Sequence, residues 1–266
     1  MTRSTRQISS ATAAALAARA AARPARSGLA MRLAPALLPA FLFAPAFALS
    51  FALAPHAQGQ TMTVSATSAE AAAALHKAAS SGDLATLSRL LQGGVPVDSR
   101  DSGGATALLA ATHANRIEAA RMLIAAGADV NAKDNISDSA YLYAGARGHI
   151  EILRMTLENG ADLESLNRFG GTALIPAAER GHVETVKTLI EAGVAVDHVN
   201  RLGWTALIEA VILGDGGRPH QEIASALIAG GADVDLADAD GVTPLAHAKA
   251  RGFSGLVAIL TNAGAK

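Results

Sequence analysis

The chain keeps a fixed period. Aligning Ala73, Thr106, Ser139, Thr172, Thr205 and Thr243 gives sequence steps of 33, 33, 33, 33 and 38. A repeat of this length restricts the fold to a stacked array, because one short unit cannot bury its apolar side alone. The columns of the alignment carry physical meaning. Five positions after each start stands alanine, at Ala78, Ala111, Ala144, Ala177, Ala210 and Ala248, small enough to let two helices approach closely. Nine positions after each start stand Gly82, Asn115, Gly148, Gly181, Gly214 and Gly252, types that tolerate left-handed backbone and end a first short helix. A second glycine column, Gly94, Gly127, Gly160, Gly193, Gly231 and Gly264, closes a second helix as a C-terminal cap.

The fourth unit shows the pattern within one repeat. Thr172 is placed to cap a two-turn helix, and Pro176 falls early enough in it to be tolerated. Val183, Val186, Leu189 and Ile190 then make one apolar stripe on a second helix. Helices this short must stack on neighbours to persist. These residues resemble the ankyrin repeat family. Its TPLHxA opening stands here as TALIPA at Thr172, TPLAHA at Thr243 and, degraded, AALHKA at Ala73. Its interhelical GH stands at Gly148-His149 and Gly181-His182, and its GADVN exit at Gly127 to Asn131. The resemblance implies an all-α repeat fold: a solenoid of about six helix-turn-helix units joined by protruding β-hairpin loops. It covers residues 70–266, with repeats near 73–105, 106–138, 139–171, 172–204, 205–242 and 243–266. The Ala-rich first unit and the last, with Thr261 in an apolar column, read as caps.

Half the residues are apolar, 3% are aromatic and none is cysteine, so the core must come from Ala, Leu, Val and Ile. Disulfides and thiolate chemistry are excluded. Charge is unevenly placed. Residues 1–69 hold six Arg and no acid, while residues 70–266 hold 16 basic and 23 acidic side chains, a balance of −7 that argues against nucleic acid. Met31 to Ala57 has a short basic start, an uncharged run from Leu33 to Ala54 and then small residues, the layout of a secretory signal. Residues 1–57 are therefore read as an N-terminal extension plus signal peptide, with Met31 the expected true start, and residues 58–69 as a spacer. An Arg-rich transit peptide is the alternative for the segment before Met31. The run is also long enough to serve as an uncleaved anchor over 33–54, although Pro35, Pro39 and Pro45 weaken a spanning helix. Cleavage is expected after Ala54 or Ala57.

Catalytic signatures do not stand out. The chain has no GxSxG, HExxH or GxxxxGK[ST], and Pro219 takes the last glycine's place in GDGGRP. Asn135-Ile136-Ser137 spells a glycosylation sequon, a triplet that arises readily by chance. His149, His182 and His220 follow the same steps of 33 and 38 and so occupy one structural column. That reading competes with a metal or small-ligand site built from Asp215, His220 and Glu222. His76 sits where the family places the His of TPLH, and His113, His198 and His247 have no consistent partners. No cofactor is implied.

The irregular step of 38 comes from five extra residues, Asp215 to Pro219, which lengthen the turn between the two helices of the fifth unit. Their composition is turn chemistry, with Gly for unusual backbone angles and Pro to restart a helix. Beside them, the apolar pair Ile212-Leu213 replaces mostly polar residues at positions that line the concave face in the resembled family. Its hairpin tips, variable there to suit partners, map to Asn135, Ile136, Arg168, Phe169, Arg201, Leu202, Trp204, Asp240 and Val242. Trp and Arg are the types enriched at binding hot spots. Trp204 alternatively packs on the adjacent hairpin. Tyr141 is expected in the core and Tyr143 facing the groove. The expected partner-binding set is Tyr143, Arg168, Phe169, Arg201, Leu202, Trp204, Ile212, Leu213, Asp215 and Arg218. Together these features predict a monomeric, non-enzymatic, secreted or periplasmic module that binds a protein partner and no membrane beyond its leader. A metal-dependent protein centred on residues 215–222 and a purely structural envelope protein are the alternatives.

Overall fold

Thr106, Ser139, Thr205 and Thr243 each begin a helix in the same way, the side-chain oxygen accepting the backbone N–H three positions on. The computed structural model describes the backbone of residues 58–266 and side chains from Ser68 onward. Among these, the helices run α1 (Gln58–Ser81), α2 (Leu84–Gln92), α3 (Ala107–His113), α4 (Ile117–Ala125), α5 (Ala140–Arg147) and α6 (Ile150–Glu158). They continue with α7 (Leu174–Glu179), α8 (Val183–Glu191), α9 (Ala206–Ile212), α10 (Arg218–Ala229), α11 (Pro244–Ala250) and α12 (Ser254–Asn262). Residues 67–266 form one compact unit. The segment 58–69, read from its composition as a spacer, lies inside α1. The leader and the extension before it fall outside the described residues.

First helices α3, α5, α7, α9 and α11 pack in one row, and second helices α2, α4, α6, α8, α10 and α12 in another. The six alanines of the small column are all buried where the rows meet. The core is the Ala, Leu, Val and Ile stack expected of an aromatic-poor chain, joined by the fully buried Tyr141. In the fourth unit Val186 and Leu189 are buried, with Val183 and Ile190 packed at their edge. The connectors between units are tight hairpins. Among the described residues they contain no strand, only an isolated antiparallel bridge from Arg100 to Thr106.

Two local expectations change. Thr172 does not cap its helix: α7 begins only at Leu174, has six residues, and the buried Thr172 Oγ1 has no hydrogen-bond partner among the described residues. Elsewhere the residue in Pro176's register donates its N–H to the cap carbonyl, as Tyr143 does to Ser139 and Glu209 to Thr205. Pro176 has no N–H to give, so this first turn is not closed. The second change concerns the insertion. Gly82, Asn115, Gly148, Gly181 and Gly252 all have positive φ, but Gly214 does not, and Gly216 (φ +70°) takes the left-handed role. Gly214 is required for closeness instead, since a Cβ there would lie 2.2 Å from the Ala210 carbonyl oxygen. The extra residues form a short link and add a turn to α10, which has 12 residues against nine in the other second helices, with Pro219 in its first turn.

Candidate protein-binding surface

Each hairpin, or finger, is built on an Asp or Asn at one position. Asp101, Asp134, Asn167, Asn200 and Asp238 each accept, on one side-chain oxygen, the N–H groups two and four positions ahead. The backbone N–H of each also donates to the carbonyl four positions on. This column, spaced 33, 33, 33 and 38 like the rest, is present in the sequence but carries no signal that separates it from ordinary turn composition. Neighbouring fingers are tied together: Asn135 N donates to Gly103 O at 2.9 Å and Arg201 N to Phe169 O at 3.0 Å. Lys133 Nζ donates to Leu166 O at 2.9 Å, and Arg201 Nη1 to Arg168 O at 2.8 Å.

These fingers carry the exposed side chains at the expected tip positions. Phe169 is 41% exposed, with the Arg168 guanidinium 5.0 Å from its ring centroid. Arg168 also reaches Asp138 at 3.8 Å. Burial raises the Asp138 carboxyl, and Arg168 opposes that shift. Asp138 in turn acts on His113, whose imidazole is held below its ordinary value first by burial. The His113 ring packs against Tyr143, centroids 4.2 Å apart, and Arg147 stands 5.3 Å from the Tyr143 centroid. Tyr143, Arg147, His113, Asp138, Arg168 and Phe169 are thus linked, running from the first-helix face to the third finger. Tyr143 is half-buried. Sequence reasoning misses His113 because its partner Tyr143 lies in the next unit, three columns away from its own.

Position sets Arg147 apart. The carbonyl two positions before the interhelical column is capped from the following unit at four junctions. Arg116 donates to Ser80 O at 3.2 Å, Arg180 to Ala146 O at 2.6 Å and Arg251 to Ile212 O at 2.6 Å, while His220 Nε2 lies 3.0 Å from Glu179 O. At the junction of units two and three, Arg147 stacks on Tyr143, and among the described residues no side chain caps His113 O.

Other expected site residues lie elsewhere. Trp204 is 8% exposed: its backbone is tied to Asn200 at the base of the fourth finger, and its ring is covered, so it is not an accessible anchor. Ile212 and Leu213 are half-buried beside the carbonyls that Arg251 clamps. Asp215 accepts from Gly217 N and faces His220 Nδ1, both at 2.8 Å, which with the Gly217 bond foremost holds its carboxyl below the usual range. Arg218 pairs along its own helix with Glu222 at 2.8 Å. The loop lies against the last unit, since a Cβ on Gly216 would meet the Phe253 ring at 2.5 Å. Of the expected site residues, Arg168 stacks on Phe169 and Arg201 reaches the Arg168 carbonyl from the next finger, whereas Asp215 and Arg218 are paired within the fifth unit.

Both His220 ring nitrogens are engaged with oxygens, and Glu222 is turned to Arg218, so Asp215, His220 and Glu222 do not converge as ligands. Among the described residues no three His, Asp or Glu side chains are grouped to hold a metal. His149 and His182 begin α6 and α8, and burial first, then nearby arginines, lowers both imidazoles. A Cβ on Gly148 would strike the His182 ring, so the histidine column is a packing column. No helix among the described residues is long and apolar enough to cross a membrane.

Comparison with known proteins agrees with this geometry. A family model described as ankyrin repeats (3 copies) matches residues 50–134 and 141–238. An ankyrin repeat domain from Acinetobacter baumannii is 61% identical, with a TM-score of 0.70 over 72% of this chain and 98% of that one. A second solved ankyrin repeat protein is 44% identical, TM-score 0.69, over 71% of this chain and 97% of that one. The ankyrin repeat domain of Bcl-3, of the IkappaB family, is 31% identical, TM-score 0.65, over 73% of this chain and 86% of that one. A search of curated proteins found no match. The repeated caps, the two helix rows and these likenesses agree: the chain belongs to the ankyrin repeat family.

Proposed function

We propose that this array is a non-enzymatic protein-interaction module of a bacterial envelope, acting on one partner as scaffold, chaperone or inhibitor. Ankyrin repeats are protein-interaction modules, and the observation that carries the reading here is the linked surface from Tyr143 to Phe169. Aromatic rings and arginines held in place by packing are the side chains that anchor interfaces, and a rigid stack limits the entropy lost on docking. The leader, Met31 to Ala57, would deliver the array to the periplasm, with residues 58–266 facing the partner. Anchoring by residues 33–54 is the alternative, and N-terminal sequencing of the protein from cell fractions separates the two. Support for a bacterial source comes from the 61% identical A. baumannii domain.

The test is co-purification of partners from an envelope extract by the parent protein and by Phe169→Ala and Tyr143→Ala variants. The expected result is a partner held by the parent and weakened by at least ~2 kcal/mol in either variant, with melting unchanged for Phe169→Ala. A partner held equally by all three proteins removes this surface from consideration.

A further inference from the structure

Fingers three and four, residues 166–172 and 199–205, differ from the other fingers in charge. They hold Arg168 and Arg201 and no carboxylate, within a repeat region whose balance is −7. The large apolar side chains that remain exposed among the described residues gather on or beside them: Ile136 at 51%, Leu166, Phe169 and Val199 at 45%, with only Leu84 elsewhere. Ile136, Phe169 and Leu202 share one tip column, at successive steps of the 33-fold period, and Leu166 and Val199 share another. Large exposed apolar side chains grouped beside like charges mark an interaction surface rather than scattered exposure.

Charge defines what fits. Among the described residues Arg201 Nη1 is bound only to a neutral carbonyl, and Arg168 has one carboxylate contact, Asp138 at 3.8 Å, so both cations can take a new acidic partner. Phe169 beneath Arg168 adds an apolar floor.

Resting on the groove-and-finger reading above, we infer that fingers three and four, with Ile136 of the second finger beside them, bind an extended, acidic segment of the partner. That segment carries apolar side chains for Ile136, Phe169 and Leu202, and Asp or Glu among them for Arg168 and Arg201.

The test is selection of a random phage-displayed dodecapeptide library on the purified protein. Enriched peptides are then titrated against Arg168→Gln/Arg201→Gln, a variant that retains polar side chains at both positions, with thermal melting as the fold control. The inference expects acidic peptides with apolar residues among the acids, bound at least tenfold more weakly by the folded double variant and more weakly as salt rises. Basic or uncharged consensus sequences, no enrichment, or equal binding by the folded double variant overturns it. A second double variant, Arg168→Lys/Arg201→Lys, applies if the first unfolds: retained acidic preference supports the inference and its loss overturns it. Failure here together with partner loss in Tyr143→Ala leaves the groove reading standing without this ligand.

Discussion

Asn200 Nδ2 donates to Glu209 Oε1 at 2.7 Å, tying the fourth finger to α9. One unit later, in the same register, His247 Nε2 meets Asp238 Oδ2 at the same 2.7 Å. In one unit the finger donates and the helix accepts; in the next the roles are exchanged. The difference lies in charge. Glu209 is 5% exposed, and burial, then the nearby Glu179 carboxylate, pushes it up to about 8.

That shift gives a pH dependence with a definite sign. The folded value, about 8, is above the ordinary value of 4.5, so between them the native state binds more protons than the unfolded chain. Glu209 therefore lowers stability progressively as pH rises from ~4.5 to ~8, and by a constant amount above. Glu209→Gln keeps an acceptor for Asn200 and removes the charge. It should be more stable than the parent by roughly 2–4 kcal/mol at pH 9, a difference that shrinks toward pH 5. Denaturant titrations at both pH values measure it, and a pH-independent difference would sink the assignment.

Trp204 reads in the sequence as a binding residue and instead lies buried at the base of a finger. Trp204→Ala should cost roughly 3–5 kcal/mol of stability through lost burial and the cavity left behind. An unfolding free energy within about 1 kcal/mol of the parent in a denaturant titration would show that the ring is dispensable to the fold.

The insertion predicts a local effect at the C-terminal end. Gly216 lies under the Phe253 ring, Gln221 Nε2 donates to Gly216 O at 2.8 Å, and Arg251 clamps Ile212 O and Gly214 O. Deleting Asp215 to Pro219 should lower amide protection in α11 and α12 at least tenfold while leaving α3 to α6 unchanged. Hydrogen exchange reads this directly, and uniform protection in both halves would mean that the link bears no part of the last junction.

Acid should weaken the stack through its histidines. His113, His149 and His182 are depressed below 6.5, so the stability they support is present above 6.5 and lost as pH falls through their folded values. A variant with His149→Asn and His182→Asn should show a shallower fall in melting temperature between pH 6.5 and 4.5 than the parent. An unchanged slope would place the acid sensitivity elsewhere.

Much of this is legible in the repeat itself. The left-handed glycines and buried alanines recur in fixed columns, so each unit supports the reading of the others. Legibility ends where a contact crosses columns or units. His113 looks partnerless in the sequence because its ring partner is Tyr143 of the next unit, and Glu209 draws no notice because its partner Asn200 belongs to a finger. Gly214 keeps its place in the alignment but gives its backbone role to Gly216, because five added residues shift where the chain must reverse. Trp204 misleads through composition: a lone tryptophan near a tip resembles an anchor until the ring is seen to be covered.

The missing cap at His113 O has a mechanical consequence. Where Arg116, Arg180, His220 and Arg251 latch one unit to the next on the helix side, the junction of units two and three has the Tyr143 stack in place of a latch, while Lys133 and Asn131 still bridge its finger side. A load that pries successive first helices apart therefore meets an aromatic stack at this junction and an arginine or histidine latch at each of the others, while the finger edge is tied throughout.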